Sequence, residues 1–108
     1  MRKAFVMQLL AGNEDRYFER HNPIWPELER VLKAHGVSNY SIFLERETGK
    51  LFAYAEIENE ERWNAIAETE VCRRWWTSMK DLMETNEDES PRANPLEEMF
   101  HIQTEGNQ

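Results

Sequence analysis

Two prolines, Pro23 and Pro26, interrupt the first helical region of this sequence. Proline has no backbone N–H and disfavours helical geometry in the residue before it, so a helix that runs from Glu14 into His21 must end or kink there. Pro26 suits the first position of a renewed helix, and Gly36 suits the position just after its end. The result is one long helical element with a break, and His21 lies near the C-terminus of its first part.

Alternating apolar residues predict the strands. Residues 2–9 predict a first strand that is covered on both faces. Residues 37–44 and 51–57 predict two further strands, and the turn at residues 47–50 joins them as antiparallel neighbours. Residues 98–102 predict a last strand.

A second helical region begins near Asn59, divides around Thr69 and resumes over residues 71–83. Residues 86–95 have no periodicity and contain consecutive acids, so they predict a solvated loop. The order strand, helix, strand, strand, helix, strand predicts an α+β fold of the ferredoxin-like (split βαβ) type, with a four-stranded antiparallel sheet and helices on one face. Apolar residues on the other face predict a homodimer in which two sheets pack together.

Length and charge limit the classes of protein. One domain is expected over residues 1–102, followed by a loose tail over residues 103–108. A formal net charge of -8 argues against nucleic acid as a partner, because phosphate binding needs clustered lysine and arginine. No apolar run approaches the roughly 20 residues of a membrane span, and the first residues do not form a signal-peptide core. A soluble cytoplasmic protein with no membrane partner is therefore expected.

Cysteine and histidine usage gives only weak support for a metal site. Cys72 is the only cysteine, which excludes an intramolecular disulfide and a cysteine-based metal cage, and it is best interpreted as a small core residue. His21, His35 and His101 do not have the spacing of metal ligands.

Tyr17 and His21 are four residues apart, so they lie on one face of the first helix and could contact the same ligand. The negative end of the helix dipole favours the imidazolium form of His21, which suits a proton donor. A histidine that only satisfies the terminal carbonyls of the helix is the alternative.

Trp75 and Trp76 are adjacent on a helix and project about 100° apart, so one can pack in the core while the other lines a cavity. Aromatic faces suit the apolar patches of a sugar ring, whose hydroxyl groups need donors and acceptors such as the indole N–H or a tyrosine hydroxyl. Tyr40 shares a strand face with apolar residues, and its hydroxyl needs a partner, either a ligand or a backbone carbonyl. Two structural tryptophans are the alternative, and Trp25 and Trp63 are assigned to packing.

With these residues in view, the chain resembles the L-rhamnose mutarotases, small bacterial enzymes that interconvert the α and β anomers of the free sugar. The likeness extends from Arg2 to about Ile102. The segments that carry it are RKAFVM at 2–7, RHNPIWPEL at 20–28, EERWN at 60–64, and VC at 71–72 followed by WW at 75–76.

The resemblance implies a cytoplasmic homodimer of ferredoxin-like subunits, of the dimeric α/β-barrel type, that binds L-rhamnose without a cofactor. It implies His21 as the proton donor and Tyr17, Tyr40, Trp75 and Trp76 as the sugar-binding residues. Our hypothesis from the sequence is that His21 protonates the ring oxygen as the pyranose opens, while a tyrosine or a water molecule takes the anomeric proton. A haem-degrading monooxygenase of the same dimeric fold and a non-enzymatic small-molecule-binding module are the alternatives.

Overall fold

The strands form a single antiparallel sheet in the computed structural model, which describes residues 1–104. The strands are β1 (Arg2–Gln8), β2 (Val37–Glu45), β3 (Lys50–Ile57) and β4 (Asn94–Leu96). Their order across the sheet is β2-β3-β1-β4, so β1 lies between β3 and β4 and every neighbouring pair is antiparallel. The predicted α+β, ferredoxin-like fold is confirmed.

The helices begin and end where the local sequence directs. They are α1 (Glu14–Arg20), α2 (Pro26–Ala34), α3 (Glu60–Ile66) and α4 (Glu70–Met79). The predicted break after α1 is confirmed, and Pro26 occupies the start of α2. Asn59 and Thr69 cap α3 and α4, because each side-chain oxygen accepts a hydrogen bond from a backbone N–H of the first turn. Gly36 ends α2 with a φ of +86°, in the left-handed region that favours glycine.

The two faces of the sheet have different surroundings. On β3, Leu51, Ala53, Ala55 and Ile57 are all buried against the helices, while Phe52 between them is exposed. This alternation follows from the two-residue period of a strand. The core therefore lies between one sheet face and the helices, and the other face carries exposed apolar side chains.

Two predicted boundaries are wrong. The last strand covers Asn94–Leu96 instead of residues 98–102, which have no regular structure. It pairs with the free edge of β1, where Pro95 is tolerated because an edge strand needs hydrogen bonds on one side only.

Helix α4 ends at Met79 instead of residue 83. Leu82 and Met83 are apolar and buried, so they continue the apolar periodicity of the helix in the sequence. The helix has nevertheless ended in a turn before them, and Met83 forms a β-bridge with Leu9. In the predicted tail, residues 103 and 104 are exposed and irregular, and residues 105–108 lie outside the described residues. Within residues 1–104, none of the helices combines the length and the apolar character that crossing a bilayer requires.

Candidate active site

A cavity of about 1400 Å³ opens between the sheet and the helices. All five residues predicted to form a site line it: Tyr17, His21, Tyr40, Trp75 and Trp76. They come from α1 and its C-cap, from β2 and from α4, so the fold brings together residues that are far apart in the sequence. The cavity walls also include apolar side chains from the sheet, and a cavity of this composition suits a small ligand with both polar and apolar surface.

His21 has a fixed orientation at the end of α1. Its backbone caps the helix, and its Nδ1 lies 2.9 Å from the carbonyl oxygen of Tyr17. Since a carbonyl oxygen only accepts, Nδ1 carries the proton and donates it in this hydrogen bond. In the neutral ring, Nε2 is therefore the unprotonated nitrogen, and it has no hydrogen-bond partner among residues 1–104.

Aromatic rings hold the imidazole on two sides. The ring of Tyr17 lies over it with centroids 4.3 Å apart and an interplanar angle of 30°. Trp75 meets it edge to face at 5.0 Å, and Trp25 meets Trp75 in the same manner at 5.1 Å. Trp25 does not line the cavity, which agrees with its predicted packing role. These contacts restrict rotation of the imidazole about its side-chain bonds.

The electrostatics of His21 differ from the prediction. The helix end was expected to favour the imidazolium, but burial among these rings outweighs the hydrogen bond to the Tyr17 carbonyl and lowers the pKa of His21 below its ordinary value. Burial has the opposite effect on the phenols and raises the pKa of both Tyr17 and Tyr40. The site at neutral pH therefore holds an uncharged imidazole and two uncharged phenols.

Four side chains that line the cavity carry polar atoms without partners in the described residues. The hydroxyl groups of Tyr17 and Tyr40 and the indole N–H groups of Trp75 and Trp76 form no hydrogen bond with any group in residues 1–104. Trp75 is only 9% exposed and Tyr17 equally buried, and buried polar atoms normally have partners. A bound molecule with several hydroxyl groups would supply them.

The adjacent tryptophans differ in burial, as their helical spacing predicts. Trp75 is buried in the core, whereas Trp76 is half-buried and packs against both parts of the core. Trp76 therefore retains ring surface for a ligand.

An arginine fixes the position of α1 relative to α4. Arg20 donates hydrogen bonds to the carbonyl oxygen of Ser78 and, at 3.2 Å, to the carboxylate of Asp81. The turn of α1 that carries His21 is thereby attached to the end of the helix that carries the tryptophans.

Sequence reasoning missed other aromatic residues of the cavity, among them Phe5 and Trp63. Trp63, assigned to packing, lines the cavity together with Phe5 and Tyr40. The only sequence signal for Trp63 was that it lies in one of the segments that carry the family likeness, residues 60–64. The hydrophobic pattern of that segment does not distinguish a cavity-lining ring from a packed one. Cys72 also lines the cavity, and burial raises the pKa of its thiol to about 11, which keeps it from being a thiolate nucleophile. No cluster of three potential metal ligands is found within residues 1–104.

Comparison with known proteins gives consistent matches. The family model described as L-rhamnose mutarotase matches residues 2–102. The chain is 58% identical over 102 residues to an L-rhamnose mutarotase of Citrobacter koseri, covering 94% of this chain and 98% of that protein. It is 56% identical over 103 residues to an L-rhamnose mutarotase of Salmonella newport, covering 95% of this chain and 99% of that protein. The crystal structure of an L-rhamnose mutarotase from Formosa agariphila aligns with a TM-score of 0.88 at 43% identity, covering 95% of this chain and 99% of that chain.

Proposed function

Since this chain belongs to the L-rhamnose mutarotase family, we propose that it interconverts the α and β anomers of L-rhamnose, with His21 as the group that accepts and donates the proton. The observation that carries the proposal is the cavity between sheet and helices. His21 lines it with an Nε2 that has no hydrogen-bond partner among residues 1–104, and so do two phenol groups that also lack partners there. Family membership favours this activity over a haem-degrading monooxygenase or a non-enzymatic binding module.

Mutarotation requires proton transfer at two oxygens. When the pyranose opens, the anomeric hydroxyl loses its proton, the bond between the anomeric carbon and the ring oxygen breaks, and the ring oxygen gains a proton. The open-chain aldehyde then turns about its first carbon–carbon bond and closes on the other face of the carbonyl. General acid–base catalysis of such transfers typically contributes about 10² to 10⁴ in rate.

The protonation states of the site support a specific division of roles. The neutral imidazole of His21 can accept the anomeric proton at Nε2, because Nδ1 already donates to the Tyr17 carbonyl. Burial keeps the phenols of Tyr17 and Tyr40 protonated at neutral pH, so either has a proton that it can give to the ring oxygen. On closure the transfers reverse, and the imidazolium of His21 donates its proton to the carbonyl oxygen. His21 is then the proton donor of the closing step rather than of the opening step.

We propose Tyr17, Tyr40, Trp75 and Trp76 as the sugar-binding residues. The half-buried ring of Trp76 offers a surface for the apolar patch of the pyranose, and the two phenols and the indole N–H groups offer hydrogen bonds to its hydroxyl groups. No cofactor enters this chemistry, since each transferred atom is a proton that the sugar, the imidazole or a phenol supplies.

We also propose that the protein is a homodimer joined through the outer face of its sheet. Phe43 is 65% exposed and pairs across the strands with Phe52, which pairs in turn with Val6. On the same face, Leu96 pairs with Ala4 and is 43% exposed. Phe43, Phe52 and Val6 form an apolar row across three strands. Such a row is expected to be covered by another protein surface, and a second copy provides a matching one.

Light scattering after size-exclusion chromatography tests the dimer. The unmodified protein should have twice the mass of one chain, which is 13.0 kDa. The Phe43→Glu variant should be monomeric, because it would bury a charge in the apolar interface. A monomeric unmodified protein would contradict the proposed dimer.

We also propose a cytoplasmic location for this protein, because its only cysteine is a buried free thiol, which suits a reducing compartment.

Anomer exchange measured by saturation-difference proton NMR tests the activity. The protein should accelerate exchange between the two anomers of L-rhamnose, and His21→Ala should lower the turnover by about 10² to 10⁴. His35 provides a matched control, because it also caps a helix and its Nδ1 also bonds the carbonyl four residues earlier, at 2.8 Å, but it does not line the cavity. His35→Ala should retain the exchange rate.

The outcomes separate the claims. If the unmodified protein does not accelerate exchange of L-rhamnose, the proposed activity is wrong. If it does, and His21→Ala turns over at the same rate, His21 has no part in proton transfer.

A further inference from the structure

A second group of aromatic rings lines the cavity, separate from the rings around His21. Phe5 of β1 and Trp63 of α3 have centroids 6.0 Å apart, and Tyr40 of β2 lies 6.5 Å from Phe5 and 5.8 Å from Trp63. Each of the three therefore contacts both others, and together they form a three-sided aromatic recess. Trp63 and Phe5 are half-buried, so part of each ring remains accessible from the cavity.

The recess adjoins the proton-transfer groups through the phenols. Tyr40 lines the same cavity as Tyr17, and the ring of Tyr17 lies over His21. A ligand held at His21 therefore shares its cavity with the recess of Phe5, Tyr40 and Trp63.

Apart from the Tyr40 hydroxyl and the Trp63 indole N–H, the three rings of the recess present carbon surface. Lys3 and Asn39, which also line the cavity, have partners within the protein: Lys3 forms an ion pair with Glu60 at 2.9 Å, and Asn39 donates to Glu56 at 2.9 Å. A hydroxyl group placed there would lose its hydrogen bonds to water without full replacement, whereas an apolar group would gain aromatic contacts.

The substrate has one apolar substituent in a suitable position. The ring oxygen of L-rhamnose is bonded to the anomeric carbon on one side and to C5 on the other, and C5 carries a methyl group. If the anomeric carbon and ring oxygen lie at His21, the methyl group projects from the neighbouring position on the ring. We propose that Phe5, Tyr40 and Trp63 receive this methyl group, and that Trp63 determines the preference for 6-deoxy sugars. The inference rests on the proposed function.

Three sugars with the same ring hydroxyl groups test the recess. L-Rhamnose has a methyl group at C5, L-mannose has a hydroxymethyl group, and L-lyxose has only hydrogen. The unmodified protein should exchange the anomers of L-rhamnose with a kcat/KM about 10- to 100-fold above that for L-mannose and about 10-fold above that for L-lyxose.

Trp63→Ala should remove this preference. Its kcat/KM for L-rhamnose should fall about 10-fold, to the level of L-lyxose, while the value for L-lyxose stays within about 2-fold of the unmodified protein. The matched control is Trp25→Phe, which alters a ring that packs on Trp75 outside the cavity. This variant should change the kcat/KM values for all three sugars by the same factor. Should Trp63→Ala fail to fold, Trp63→Phe gives the same comparison with a smaller change, as a reduced ratio of L-rhamnose to L-lyxose.

The results distinguish this inference from the proposed function. Variants of Trp63 that leave the ratios between the three sugars unchanged would overturn the inference, even though the mutarotase activity stands. An unmodified protein without activity on any of the three sugars would instead refute the proposed function. A lower ratio of L-rhamnose to L-lyxose in Trp63→Ala or Trp63→Phe, with the L-lyxose rate retained, would support the inference.

Discussion

The pH dependence of anomer exchange should identify which form of His21 begins the reaction. Burial lowers the pKa of His21 below the ordinary value of about 6.5, so the neutral ring predominates at neutral pH. If neutral Nε2 accepts the anomeric proton, kcat/KM is constant at neutral pH and falls as the pH decreases through the pKa of His21. One unit below that pKa only about a tenth of the protein has a neutral imidazole, so the rate should be about tenfold lower, and it should fall about tenfold more per further unit.

The assay is the NMR exchange rate between about pH 5 and pH 8, after subtraction of the rate without protein. Tyr17 and Tyr40 stay protonated throughout this range because burial raises their pKa values. His21→Gln should abolish the pH dependence and lower the rate by about 10² to 10⁴. His35→Gln should have the same rate and the same pH dependence as the unmodified protein. A rate that rises as the pH falls would refute the argument, and it would return the imidazolium to the opening step, as the helix-end position alone suggested.

Three further variants test the binding surface, the core and the attachment of α1. Trp76→Ala should raise KM with a smaller change in kcat, because it removes ring surface for the sugar; an unchanged KM would remove Trp76 from the binding site. Leu82→Ala, at a side chain with 0% exposure, should lower the free energy of unfolding in urea by about 2–5 kcal/mol, whereas Leu10→Ala, at 39% exposure, should cost far less; equal costs would contradict the burial argument. Arg20→Gln should reduce kcat more than it raises KM, since it frees the turn that carries His21 from Asp81 and the end of α4, and a change in KM alone would contradict this.

Local rules predicted much of the fold. The break after α1, the hairpin of β2 and β3, and the caps of α3 and α4 each depend on residues close together in the chain, such as Pro26, Asn59 and Thr69. The last strand was misplaced because its position depends on a distant partner, the free edge of β1. Apolar alternation favoured residues 98–102, but backbone pairing with Ala4 fixed the strand at Leu96 and its neighbours despite Pro95.

The site divides in the same way. Helical spacing was sufficient to relate Tyr17 to His21 and to separate Trp75 from Trp76, since both relations are local. The net electrostatic effect on His21 was not predictable, because it depends on burial by rings from elsewhere in the chain. Trp63 was missed for the same reason: only the tertiary structure brings it beside Phe5 and Tyr40.

The alternation of the strands gives adjacent residues different consequences when they are mutated. On β2, Ile42 packs toward the cavity side and the core, while Phe43 is exposed on the outer face; on β3, Ala53 and Phe52 differ in the same way. A mutational scan should therefore show loss of catalysis and loss of association at alternating positions. A one-residue deletion inside β3 would exchange the two faces beyond it, so length changes should be tolerated in the loops but not within these strands.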